Sequence, residues 1–164
     1  MHHFYLKSIP ATLAHLAHLN YPEIFLIILA SGHPLPLPEG IIFIGLGILA
    51  SHGGSFLGYW VTAVLAVFCY DVILFGLGYT GSALAEKTSK KIRAEWIEKY
   101  TGASGRRAFF LVFVSHFVPG WRMVNPLICG ALRLRPRDFF FYTICVALVY
   151  PALYLSIGYL LFLG

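Results

Sequence analysis

The chain has 164 residues, a mean hydropathy of +0.76 and only 12% charged residues, against the roughly 25% usual in soluble domains. A soluble domain of this size could not hide so much apolar surface, so the composition describes an integral membrane protein. Its 12 Lys and Arg outnumber its 7 Asp and Glu, but they cluster beside apolar stretches, which points to a membrane face and away from nucleic acid.

The opening residues, MHHFYLKSIP, lack the charged n-region, apolar h-region and small-residue cleavage site of a secretory signal, so the membrane segments are expected to belong to the mature protein. Ile9–Asn20 reads as an interfacial helix, with Leu13, Leu16 and Leu19 along one side. His15 and His18 have a spacing that could chelate a metal. A half-exposed interfacial face accounts for them more simply, and no metal site or cofactor is expected.

Four long apolar stretches follow: Ile24–Ser51, Phe56–Leu84, Ala108–Leu132 and Phe139–Leu163. A crossing helix needs about 20 apolar residues, which the second and fourth supply, with Asp71 the lone charge in the second. The first is interrupted by SGHPLPLPEG (Ser31–Gly40), and the third by HFVPGWRMVNP, with Pro119, Gly120 and Pro126. Proline removes a backbone donor, and irregular backbone at membrane depth must be buried in protein or line a wet cavity. Two re-entrant helical hairpins are expected there; a kinked but complete span is the alternative.

Charge placement favours re-entry. The linker between the second and third stretches carries Lys87, Lys90, Lys91, Arg93, Lys99, Arg106 and Arg107, and Arg133, Arg135 and Arg137 follow the third. The positive-inside rule places 84–107 and 133–137 together in the cytoplasm, which requires the chain to enter and return. The charge-free loop Ser51–Ser55 then lies outside. Within the linker, Ser82–Tyr100 reads as a second interfacial helix, with Ile92, Trp96 and Tyr100 on one face. Cys69, Cys129 and Cys145 lie in apolar sequence without CxxC spacing and read as inert thiols.

A shift of 83 residues superposes Pro36 on Pro119, Gly47 on Gly130, Phe56 on Phe139, Tyr59 on Tyr142 and Gly81 on Gly164. With one crossing per half, the copies are inverted. The expected fold is an all-α integral membrane protein, a single domain over 1–164. It is an inverted repeat (about 1–82 and 83–164) of two re-entrant hairpins and two full transmembrane helices, with interfacial amphipathic helices.

Glu39, Asp71, His116 and Arg122 sit inside or at the edge of the apolar stretches. Burying such groups in hydrocarbon costs at least ~2.5–3.5 kcal/mol, so they normally face a cavity or each other. If the hairpin tips meet, Glu39 and Arg122 can pair, and amides freed around Pro119 and Gly120 can serve an anion. Asp71, midway along a span, is a candidate proton carrier. A structural ion-pair cluster is the other reading.

Here the motifs become specific. PLPLPEGIIFIGLGILASHGG, CYDVILFGLGYTG and HFVPGWRMVNPLICGAL resemble the DedA family of SNARE-associated, or VTT-domain, membrane proteins. In the family's second-hairpin motif Phe117, Pro119, Arg122, Pro126 and Gly130 all fall in place. The chain resembles a short, divergent member. The motif's first arginine is His116, the acid of the first hairpin follows Pro38 directly, and the arginine after the span's glycine is Tyr79. An acid that many members carry upstream of the prolines is missing.

The resemblance implies a transporter, a flippase or scramblase that moves a phosphate-bearing lipid such as a polyprenyl phosphate or a phospholipid, coupled to protons, in the plasma membrane. Arg122 and His116 would bind the phosphate, with Pro119, Gly120 and Asn125 completing the substrate-binding set. Glu39 and Asp71 would bind substrate and exchange protons. Membrane lipids and protons are then the partners, with a homo-oligomer left open. A proton-coupled small-molecule exporter and a non-transporting assembly factor are the alternatives. No enzyme is expected, and no catalytic residue: HExxH, GxSxG and a usable Cys–His pair are absent, and Ser115 and His116 are adjacent, so their side chains diverge on a helix.

Overall fold

A computed structural model of the chain describes residues 19–31, 39–84, 121–131 and 133–162, and every regular element among them is an α-helix. In chain order these are α1 (Tyr21–Ser31), α2 (Glu39–Ser51), α3 (Phe56–Leu84), α4 (Trp121–Ala131) and α5 (Pro136–Leu161). Of the two expected breaks, 32–38 and 116–120 lie outside the described residues, as do 108–115, whereas 121–126 of the second break are helical. The expected interfacial helices also lie outside them, apart from 19–20 and from 82–84, which extend α3.

Local chemistry sets the helix ends. The Asn20 backbone N–H donates to the Glu23 carboxylate at 2.8 Å, one arm of a capping box that opens α1. Ser55 Oγ accepts the Gly58 N–H at 3.1 Å and caps α3. α5 starts earlier than the apolar stretch from Phe139, because Pro136 suits a first helical position and Asp138 suits the first turn. α2 and α4 close in the same way. The Gly54 N–H bonds back to Leu49 and the Gly53 N–H to Ala50, while the Leu134 N–H bonds to Cys129 and the Arg133 N–H to Gly130. Both are Schellman motifs, which need a left-handed residue, supplied by Gly53 at φ 106° and by Arg133 at φ 53°.

α3 and α5, with 29 and 26 residues, are long and apolar enough to cross a bilayer. α1 and α2, with 11 and 13, are not: at about 1.5 Å per residue they reach roughly 17 and 20 Å. The exposed side of α3 carries Leu57, Val61, Leu65, Ile73 and Leu77, whereas its buried stripe includes Asp71. On α5, Phe141, Ile144, Leu148, Leu153, Ile157 and Leu160 are exposed and Thr143 is buried. Apolar outside and polar inside is the reverse of a water-facing helix, and it suits a lipid surround.

Contacts divide the chain into two compact units, one of Met1–Val67 with Pro151–Gly164, the other of Phe68–Tyr150. In the first unit α2 crosses the end of α5 at backbone distance: a Cβ on Gly47 would strike the Leu155 carbonyl, and one on Gly158 the Ile44 carbonyl. Rings of Phe56 and Tyr159 meet at 5.6 Å, and those of Tyr21 and Tyr59 at 5.8 Å. In the second unit α4 crosses the end of α3 in the same manner: a Cβ on Gly130 would strike the Phe75 carbonyl, and one on Gly78 the Leu127 carbonyl. Phe75 stacks on Phe139 at 4.2 Å. Such small-residue crossings let helices associate in lipid, where apolar burial gives no net drive.

These crossings correct the constant shift of 83. Gly47 and Gly130, like Ile44 and Leu127, are 83 apart, but the residues they meet, Leu155 and Phe75, or Gly158 and Gly78, are 80 apart. The capping residues Gly53 and Arg133 are also 80 apart. Past its crossing glycine α2 therefore has three more residues than α4, nearly one turn. At the 80-residue spacing Gly78 falls on Gly158 and Phe56 on Pro136, so the crossings do not carry the pairings of Phe56 with Phe139, Tyr59 with Tyr142 and Gly81 with Gly164.

Candidate functional site

In the first unit Glu39 opens α2, where its charge complements the helix N-terminus, and only 8% of the residue is exposed. Ser31, the last residue of α1, is also buried, and its hydroxyl contacts both the Ile28 carbonyl oxygen at 2.8 Å and Glu39 Oε1 at 3.3 Å. Beside Glu39, the Tyr154 ring lies so close to Gly40 that a side chain there would displace it. Glycine at position 40 keeps the aromatic ring against the first turn of α2.

In the second unit Asp71 is wholly buried on α3. Phe68 and Phe75, on either side of it along the helix, both reach Phe140, at 6.3 Å each. On α4 the buried Cys129 thiol donates to Asn125 Oδ1 at 3.6 Å. Thr143, one turn beyond Phe139, is wholly buried, and its hydroxyl has no hydrogen-bond partner among the described residues.

Arg122 lies in the first turn of α4. Pro126 does not end that helix; it lies inside it, buried, and withholds from the Arg122 carbonyl the N–H an ordinary residue would offer. His116, Pro119 and Gly120 lie outside the described residues. At the far end of α4, the Arg133 guanidinium sits 5.6 Å from the centroid of the Tyr79 ring, a cation–π contact at the position where the family motif carries arginine.

Sequence reasoning misses Ser31, Thr143 and Cys129 as members of these polar groups. A hydroxyl or thiol in apolar sequence gives no local sign of what it touches. Cys69, Cys129 and Cys145 are free, but Cys129 alone of the three is buried. No group of three or more His, Cys, Asp or Glu side chains that could hold a metal occurs among the described residues.

Helices able to cross a bilayer, apolar outer faces and carboxyl groups kept inside define a helical membrane protein. The VTT-domain family model matches residues 37–160, most of the chain, and takes in Glu39, Asp71, Arg122 and Asn125. The chain belongs to this family, the DedA family. No curated protein and no solved structure matches it.

Proposed function

We propose that the protein is a lipid transporter, not an enzyme, moving a phosphate-bearing lipid across the plasma membrane with proton coupling. The observation that carries this reading is Asp71: a wholly buried carboxyl group on a helix whose opposite side is apolar along its length. An ionisable group is costly in such a place and is retained where it serves a pathway. Asn125 and the buried Thr143 hydroxyl add polar capacity in the same unit. Arg122, with His116, takes the phosphate, and the first-turn amides of α4 supply further donors. Glu39 and Asp71 exchange protons.

The matched glycine crossings of the two units support the inverted-repeat plan, with α2 and α4 as the returning arms of re-entrant hairpins and α3 and α5 as the crossings. The linker 84–107 and residues 133–137 then face the cytoplasm.

The test is lipid translocation by the purified protein in proteoliposomes. A short-chain polyprenyl phosphate and a labelled phospholipid would each be offered with and without a pH gradient. Arg122→Ala is expected to lower transport about 10–100-fold, the range for losing a charge-assisted contact to phosphate. Full activity in that variant would remove the phosphate-binding role. No movement of either lipid by folded wild-type protein would overturn the lipid reading in favour of a small-solute exporter or an assembly factor.

A further inference from the structure

The carboxyl group of the first unit has a neighbour able to serve it with and without a proton. Ser31 ends α1 and Glu39 opens α2; the two are 6% and 8% exposed. The Ser31 hydroxyl stands between two acceptors, 2.8 Å from the Ile28 carbonyl oxygen and 3.3 Å from Glu39 Oε1. A hydroxyl has one proton and two lone pairs, so it donates along one of these lines at a time. Turned toward Glu39, it gives an ionised carboxylate a charge-assisted hydrogen bond. Turned toward Ile28, it presents a lone pair to Oε1, and that line then holds a hydrogen bond when the carboxyl group carries the proton. The Ile28 carbonyl belongs to the last turn of α1, where helix carbonyls lack the usual intrahelical donor, so it is suited to this second role.

We infer that Ser31 is a positioning residue that holds the Glu39 carboxyl group in both its ionised and its protonated forms, by turning its single O–H between Glu39 and Ile28. The exchange forms and breaks one carboxyl O–H bond with a proton taken from and returned to water, and no electrons change hands. Without such a partner the carboxyl group would lose a hydrogen bond in each form. Alanine at position 31 serves neither form.

The titratable side chains near this corner are few among the described residues. From α5 comes Tyr154, with its ring against Gly40. Tyr59 of α3 pairs with Tyr21 at the opposite end of α1, away from this corner. Glu23 is at the opposite end of α1 and is bonded to the Asn20 N–H. Ser31 also precedes the 37–160 segment that matches the family.

The inference rests on the reading of Glu39 as a group that exchanges protons, and the experiment separates the two. Infrared difference spectra of the full-length protein in lipid nanodiscs, recorded as pH is stepped with neither substrate nor gradient present, read the carboxyl group directly. Glu39→Gln assigns its band. Ser31→Ala is expected to raise the Glu39 midpoint by roughly 0.5–1 pH unit, because the bond lost from the charged form is the stronger of the two. It should also move the protonated C=O stretch to higher wavenumber, and Ser31→Thr should restore both. Ser31→Cys, similar in size but a weaker donor, should fall between, and it decides the matter should the alanine variant not fold. A Glu39 that titrates identically with serine, alanine and cysteine at position 31 overturns the inference and leaves proton exchange standing. A wild-type Glu39 that never changes protonation overturns both.

Discussion

The two units share a scaffold and differ in chemistry. Each is built on a reciprocal pair of glycines, Gly47 with Gly158 and Gly130 with Gly78, that lets a short helix lie on the carbonyls of a long one. Each short helix ends in a Schellman motif. Inside those matching frames the polar groups do not correspond. The first unit has Glu39 at a helix start with a serine hydroxyl against it. The second has Asp71 wholly buried in mid-helix, and on α4 a Cys129 thiol bonded to Asn125. At the 80-residue spacing of the long helices, the position corresponding to Asp71 is Pro151. Backbone approach is the demanding constraint and tolerates only glycine, whereas a carboxyl group needs only one protected place within a unit.

The largest expected effects break the shared scaffold. Gly47→Ala and Gly130→Ala each put a Cβ into a carbonyl oxygen and should each lower the unfolding free energy by about 3 kcal/mol, the upper range for overpacking. Gly76→Ala and Gly81→Ala, on α3 with nothing among the described residues within 4 Å of the added carbon, should be neutral or raise stability by about 0.5–1 kcal/mol through helix propensity. Denaturant unfolding in detergent micelles checks the four together. Equal effects at crossing and open glycines would dissolve the comparison.

Next come changes that keep the scaffold and alter the chemistry. Asp71→Asn preserves size and should leave unfolding nearly unchanged while lowering proton-coupled transport at least about tenfold, as for loss of a group that must carry charge. Glu39→Gln is the parallel change in the first unit. If either variant retained full transport and its response to a pH gradient in proteoliposomes, that unit would have a structural polar group only.

The smallest effects sharpen the comparison at the caps. Gly53→Ala places a side chain at φ 106° and should cost about 1 kcal/mol. Arg133→Gly relieves a left-handed arginine but gives up the cation–π contact with Tyr79. Because each term is about 1 kcal/mol, the melting temperature should hardly move. A clear loss would mean that the guanidinium of Arg133 contributes more than its ring contact.

Sequence alone determined what depends on local runs: a membrane protein, from unbroken apolar length at Phe56–Leu84 and from Phe139 onward. It also located Glu39 and Asp71, which no apolar stretch carries without reason, and the family through the motif around Arg122. Hydropathy, proline and glycine punctuation and motif spacing are readable along the chain because each acts on its neighbours in sequence. Tertiary structure decided what depends on approach between distant residues. Gly47 and Gly130 look no different from Gly76 and Gly81 until the carbonyls of Leu155 and Phe75 are seen against them. The change of spacing from 83 to 80 appears only when partners across a crossing are paired. Ser31 acquires a role when α1 and α2 bring it to Glu39, because a hydrogen bond is set by the positions of two atoms and not by the composition of the segments that carry them.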